Sequence, residues 1–161
     1  MNKKLIGLSA ASLLSMSLYA GDYVGVSYKM VEVSEGSFSI EPSAIDGKYG
    51  HMLTNNIALE SRFGIGVADD EDVGIDSMIG IFGAYHFKLD SIVTPYAIAG
   101  FSSTELSVPG GDSVTRNDFS YGIGADISID KKSSISVEYV QYFDKDFLEG
   151  TAISAGWTYS F

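Results

Sequence analysis

The chain has 161 residues, 10 basic and 21 acidic side chains for a net charge of −11, 18 glycines, three prolines and no cysteine. That charge excludes nucleic acid as a partner. The lack of thiols excludes disulfides, thiolate metal sites and lipidation of an N-terminal cysteine.

Residues 1–20 read as an export signal. Asn2, Lys3 and Lys4 give a positive start, an apolar run follows from Leu5 through Leu18, and Ala20 offers a cleavage point. The run is shorter than the roughly 20 residues that a spanning helix needs, and Gly21-Asp22 follows in place of a basic stop-transfer flank. Residues 21–161 are then expected to form one domain, with 8 basic and 21 acidic residues and a net −13.

Eight strands are predicted in chain order, each from apolar residues at every second position. The first sets Val24, Val26, Tyr28 and Met30 against Tyr23, Gly25, Ser27 and Lys29; the second sets Ile45, Tyr49 and Leu53 against Asp46, Lys48 and Gly50. The third is the cleanest: Ile57, Leu59, Phe63, Ile65 and Val67 oppose Ala58, Glu60, Arg62, Gly64 and Gly66. The fourth carries Ile79, Ile81, Tyr85 and Phe87 against Gly80, Phe82, Ala84 and His86, and the fifth, from Pro95 to Ser102, has small residues on both faces and no readable parity. In the sixth, Phe119, Tyr121, Ile123, Ala125, Ile127 and Ile129 alternate with Ser120, Gly122, Gly124, Asp126 and Ser128. The seventh places Ile135, Val137 and Tyr139 opposite Ser136 and Glu138; the eighth places Ile153, Ala155, Trp157, Tyr159 and Phe161 opposite Ala152, Ser154, Gly156, Thr158 and Ser160.

Connections alternate in length. Short ones are expected at Thr54-Asn55-Asn56, Leu89 to Val93 and Asp130-Lys131-Lys132; long ones at Val33 to Ala44, Ala68 to Ile75, Ser103 to Arg116 and Asp144 to Gly150. Short turns on one side and long loops on the other are the pattern of outer-membrane barrels, with the loops outside the cell and both termini in the periplasm. In hydrocarbon an unpaired backbone group costs several kcal/mol, so a spanning sheet has to close. The fold class predicted is all-β: a closed, eight-stranded, antiparallel up-and-down transmembrane barrel with its apolar face toward lipid.

The inward set then holds Lys29, Lys48 and Arg62 against Asp46, Glu60, Asp126 and Glu138, a net −1. An eight-stranded barrel is just wide enough for side chains to fill, so these seven are expected to pair with one another and plug the interior. A narrow ion path through the same charges is the alternative. Most of the remaining negative charge falls in the loops, and Asp69, Asp70, Glu71 and Asp72 read as a solvated tip. Asp69, Glu71 and Gly74 match positions one, three and six of a calcium loop, but Val73 and Gly80 break the match at five and twelve. His51 and His86 lack ligand spacing, so neither a metal nor a cofactor is expected, and His51 is read as a lipid-facing residue near the periplasmic edge. A lipid A-modifying enzyme would need a nucleophile beside a base. Ser77 and Asp76 are predicted at one end of the barrel and His51 at the other, so no catalytic residue is assigned and the chain is read as no enzyme.

In pattern the chain resembles the porin-like outer-membrane β-barrel family that includes the eight-stranded OmpX, Ail and OmpA-type barrels. The carriers are the signal, the segments Thr54 to Gly64, Thr94 to Gly100 and Phe119 to Gly124, and the ending Trp157-Thr158-Tyr159-Ser160-Phe161. The resemblance implies that Trp157, Tyr159 and Phe161 are the signal read by the barrel-assembly machinery. It also implies a place in the Gram-negative outer membrane after export through the periplasm, contact with outer-membrane lipid and lipopolysaccharide, and a monomer. The role implied is surface interaction, adhesion, resistance or envelope integrity, with an extracellular partner met through the loops. Acidic loops would repel heparin-like polyanions. With no peptidoglycan-binding domain after Phe161, OmpA-type anchoring is not expected.

Overall fold

The computed structural model describes residues 21–69, 73–107, 110–145 and 148–161. The expected export signal at 1–20, and Asp70, Glu71 and Asp72 of the acidic tip, lie outside the described residues. Nine strands follow in order: β1 (Asp22–Glu35), β2 (Phe38–Ile40), β3 (Ser43–Met52), β4 (Ile57–Ala68), β5 (Gly74–His86), β6 (Val93–Ser107), β7 (Ser113–Ser128), β8 (Ser133–Lys145) and β9 (Leu148–Ser160). Each long strand pairs antiparallel with the next, and β9 returns to β1 in a ladder from Tyr23↔Ser160 to Glu35↔Leu148. β2 is a short return on the end of β1, from Val33↔Ile40 to Glu35↔Phe38. The wall is therefore a closed barrel of eight antiparallel strands, as the alternation predicts.

The two faces separate by residue type as period two requires. Val26, Ile65, Ile79, Ile123 and Ile153 are exposed on the outer wall, whereas Lys29, Asp46, Glu60 and Arg62 are buried inside. A water-soluble fold would reverse these sets. A wall bathed in hydrocarbon requires them.

β6, where parity was unreadable, points Tyr96, Ile98, Ser102, Thr104 and Leu106 inward and Ala97, Ala99 and Phe101 toward the outside. Its inner residues are the bulky ones and two of its outer residues are alanine, so the hydropathy contrast that marks the other strands is inverted.

Two expected long loops are shorter than the sequence suggested. The segment Ser103 to Arg116 is mostly ladder, running from Ser103↔Asn117 to Ser107↔Ser113, and in the segment Asp144 to Gly150 strand β8 reaches Lys145 and β9 starts at Leu148. Outer residues in these extensions are polar because they stand above the apolar band, which hides the period. Strands of 13 to 16 residues here exceed the roughly 9–11 needed to span. The excess lies at the end carrying the long connections, termed the loop end below; the other, with both termini, is the turn end.

Candidate functional site: the barrel lumen

At the centre of the lumen Arg62, on β4, is 6% exposed. Its Nε donates to Glu60 Oε2 at 2.8 Å and its Nη2 also contacts that oxygen. Across the lumen, Nη1 donates to Glu138 Oε1 at 2.5 Å and Nη2 to Glu138 Oε2 at 2.9 Å. This is a bidentate guanidinium–carboxylate pair, the geometry that Arg provides and Lys does not. The free lone pairs of both acids are taken by phenols: Tyr23 Oη donates to Glu60 Oε1 at 2.5 Å and Tyr96 Oη to Glu138 Oε2 at 2.9 Å.

Two glycines seat those phenol rings. Tyr23 pairs with Gly50 across β1 and β3, and Tyr96 with Gly124 across β6 and β7. A Cβ at Gly50 would fall within the Tyr23 ring, and one at Gly124 would stand 2.5 Å from Tyr96 Cζ. Both rings thus lie flat across a neighbouring strand with their hydroxyls aimed at the lumen axis. Lys48 Nζ sits between them, 5.9 Å from the Tyr23 centroid and 5.5 Å from that of Tyr96.

Toward the loop end, Lys29 Nζ stands 3.0 Å from Asp46 Oδ2 and donates to Tyr142 Oη at 2.6 Å, and Ser27 Oγ also bonds Asp46. Beyond it lies an apolar layer that includes Val31, Val33, Ile40, Leu106 and Val140. Spaces of about 10 Å³, each the size of one water, flank Arg62 on either side.

Toward the turn end the packing stops. A vestibule of about 290 Å³ is lined by Tyr23, His86, Lys88, Thr94, Asp126 and Thr158 among others. Asp126 stands apart from the other six interior charges and accepts from Ser136 Oγ at 2.6 Å through Oδ1.

The structure therefore gathers Glu60, Arg62 and Glu138 into one cluster, Lys29 and Asp46 into a second, sets Lys48 on the tyrosines and leaves Asp126 in the vestibule. Sequence reasoning missed Tyr96 and Tyr142 as members of this interior, and it placed His86 on the inward face of the fourth strand without giving it a role. The available signal was an inward tyrosine opposite an inward glycine, which reads as a ring filling a gap once register is known. Trp157, Tyr159 and Phe161 line the outer face of β9, with ring centroids 5.9 Å and 5.1 Å apart in sequence.

The residues weighed for an enzyme are not brought together. Ser77 Oγ contacts Glu105 Oε2 at 3.5 Å near the loop end, while His51 Nδ1 meets the buried Asp22 Oδ1 at 2.5 Å at the turn end. Tyr49 Oη donates to the same carboxylate at 2.8 Å, so His51 belongs to a polar cluster on the outer wall. Among the described residues no three His, Asp or Glu side chains converge as a metal site would require.

Residues 5–161 match a family model described as the outer membrane protein beta-barrel domain. Among solved structures, the chain resembles neisserial surface protein A, NspA (TM-score 0.71, 20% identity, covering 88% of this chain and 98% of that one). It also resembles the attachment invasion locus protein Ail of Yersinia pestis (0.64, 18%, 89% and 100%), a protein also solved with the heparin analogue sucrose octasulfate. A third is OprG of Pseudomonas aeruginosa (0.57, 10%, 90% and 98%). These likenesses bear on the fold. No curated protein sequence gives a match.

Proposed function

The chain belongs to the outer membrane β-barrel family, and from that premise we propose that it is a plugged, non-enzymatic surface barrel whose acidic extracellular end meets the environment. The observation that carries this reading is the Arg62–Glu138 pair spanning the lumen, flanked by water-sized spaces of about 10 Å³. In this reading the seven interior charges hold the barrel shut, the turn end faces the periplasm, and Trp157, Tyr159 and Phe161 direct assembly after export. Steady ohmic conductance of the purified protein in planar bilayers would overturn it in favour of a small pore.

The loop end supports a partner of positive charge. Glu35, Glu41, Asp112, Asp118 and Asp144 belong to that end, against Arg116 among the residues whose side chains are described. Such a surface disfavours polyanions of the kind crystallised with Ail. Outer-membrane lipid and lipopolysaccharide surround the wall of a monomer. The distance in the fold between Ser77 and His51 supports the absence of lipid A chemistry, and transfer of a labelled acyl group that is lost in Ser77→Ala would refute it.

A further inference from the structure

We propose that the turn-end vestibule binds a small primary ammonium compound, held between the Asp126 carboxylate and the Nε2 of His86.

His86 is 8% exposed and lines the vestibule, yet its Nε2 has no hydrogen-bond partner among the described residues. A buried polar nitrogen left unpaired costs about 1–3 kcal/mol, so its retention points to a partner that arrives from outside the chain. The ring is held in place by aromatic contacts, with centroids 6.1 Å from Tyr23 and 5.4 Å from Tyr96. Its backbone is tied to the adjacent turn, where the N–H donates to Asn56 O at 2.7 Å and the C=O accepts from Asn56 Nδ2 at 2.8 Å.

Charge selects the ligand. Lys29 pairs with Asp46, while Arg62 and Lys48 balance Glu60 and Glu138, so Asp126 is left over from the seven interior charges; Asp22, which also lines the vestibule, is taken up by Tyr49 and His51. Its Oδ1 takes the Ser136 hydroxyl, and the same cavity wall holds the hydroxyls of Thr94 and Thr158. With the proton of a neutral His86 on Nδ1, the site offers a carboxylate, an imidazole lone pair at Nε2 and hydroxyl oxygens, a set of acceptors that suits the three N–H donors and positive charge of an alkylammonium. A volume of about 290 Å³ admits a short diamine. Deeper entry is blocked by Lys48, whose ammonium sits between the two tyrosine rings. Lys88, exposed on the turn at the mouth, is the competing cation.

The test is titration of 1,4-diaminobutane into the folded barrel in zwitterionic detergent, followed by imidazole NMR with His51 as internal reference. His86 signals are expected to shift saturably while those of His51 stay fixed. Asp126→Asn should weaken binding roughly ten-fold, the loss of one charge-assisted contact, and Lys88→Gln should tighten it. Retained heat-dependent gel migration establishes that each variant is folded. Equal shifts at both histidines, equal affinity in Asp126→Asn, or the same response to potassium at matched ionic strength would overturn the proposal. Binding in detergent is independent of membrane orientation and of conductance, so this result stands apart from the plugged-lumen reading.

Discussion

Arg62 and Glu138 face each other across the full width of the barrel: β4 and β8 are the third and seventh strands of an eight-stranded wall, and their side chains meet in a bidentate pair. The strut ties together strands that share no ladder. Removing the guanidinium would leave Glu60 and Glu138 buried without the cation that hydrogen-bonds them, and with Lys48 as the one nearby positive charge for two carboxylates. Arg62→Leu is expected to cost about 3–5 kcal/mol, the usual penalty for an uncompensated buried charge. Adding Glu60→Gln and Glu138→Gln to that variant should recover much of the loss. Urea unfolding in lipid vesicles measures both, and bilayer recording of Arg62→Leu should reveal conductance absent from the unmodified chain.

Gly124 offers a test of ring seating. Gly124→Val would put side-chain atoms where the Tyr96 ring lies, forcing the phenol off Glu138 at a cost of about 1–3 kcal/mol for overpacking. Combining it with Tyr96→Ala should give less than the sum of the two separate losses, since the second change removes the clash. Additive losses in vesicle unfolding would contradict the seating.

The turn between β7 and β8 gives a pH dependence outside the membrane span. Asp130 accepts from the backbone N–H groups of Lys132 at 2.8 Å and Ser133 at 2.9 Å, which holds its carboxyl below the usual carboxylate range. A carboxyl depressed in the folded state stabilises fully above its unfolded pKa, about 4, and the contribution fades as pH falls through the lower folded value. Asp130→Ala should therefore lower stability at neutral pH and flatten the change between neutral and acid unfolding midpoints. Identical slopes in the two proteins would count against this bond.

Sequence alternation carried the fold because a lipid-facing wall and a polar lumen make two faces of opposite hydropathy, strongest where Ile65 faces out and Arg62 faces in. It failed on β6, where Tyr96 and Ile98 point inward and Ala97 and Ala99 outward. The lumen was half legible. Charge type and parity placed Glu60, Arg62 and Glu138 on the inner face, but period two says nothing about height or about which strands lie opposite. The bidentate pairing and the separation of Asp126 follow from stagger and closure, which only the ladder registers specify. Tyr142 lay beyond the readable end of the seventh strand, and His86 gave no sign of its unpaired nitrogen.

The C-terminus and the acidic tip are expected to respond oppositely to change. Phe161 N–H donates to Asp22 O at 3.0 Å, and its ring meets Tyr159 edge-on at 5.1 Å. It thus closes the last strand against the first at the turn end, where an unpaired edge would otherwise be exposed. Deleting Phe161 should reduce the amount of folded barrel recovered from outer membranes several-fold, measured by heat-dependent gel migration. Neutralising Asp69 to Asp72 as amides removes charge from a segment outside the spanning ladder between β4 and β5, which ends at Gly64↔Met78, and should leave that yield unchanged. If the deletion matched the parent chain in yield, the aromatic ending would have no part in assembly and β1–β9 pairing alone would have to account for closure.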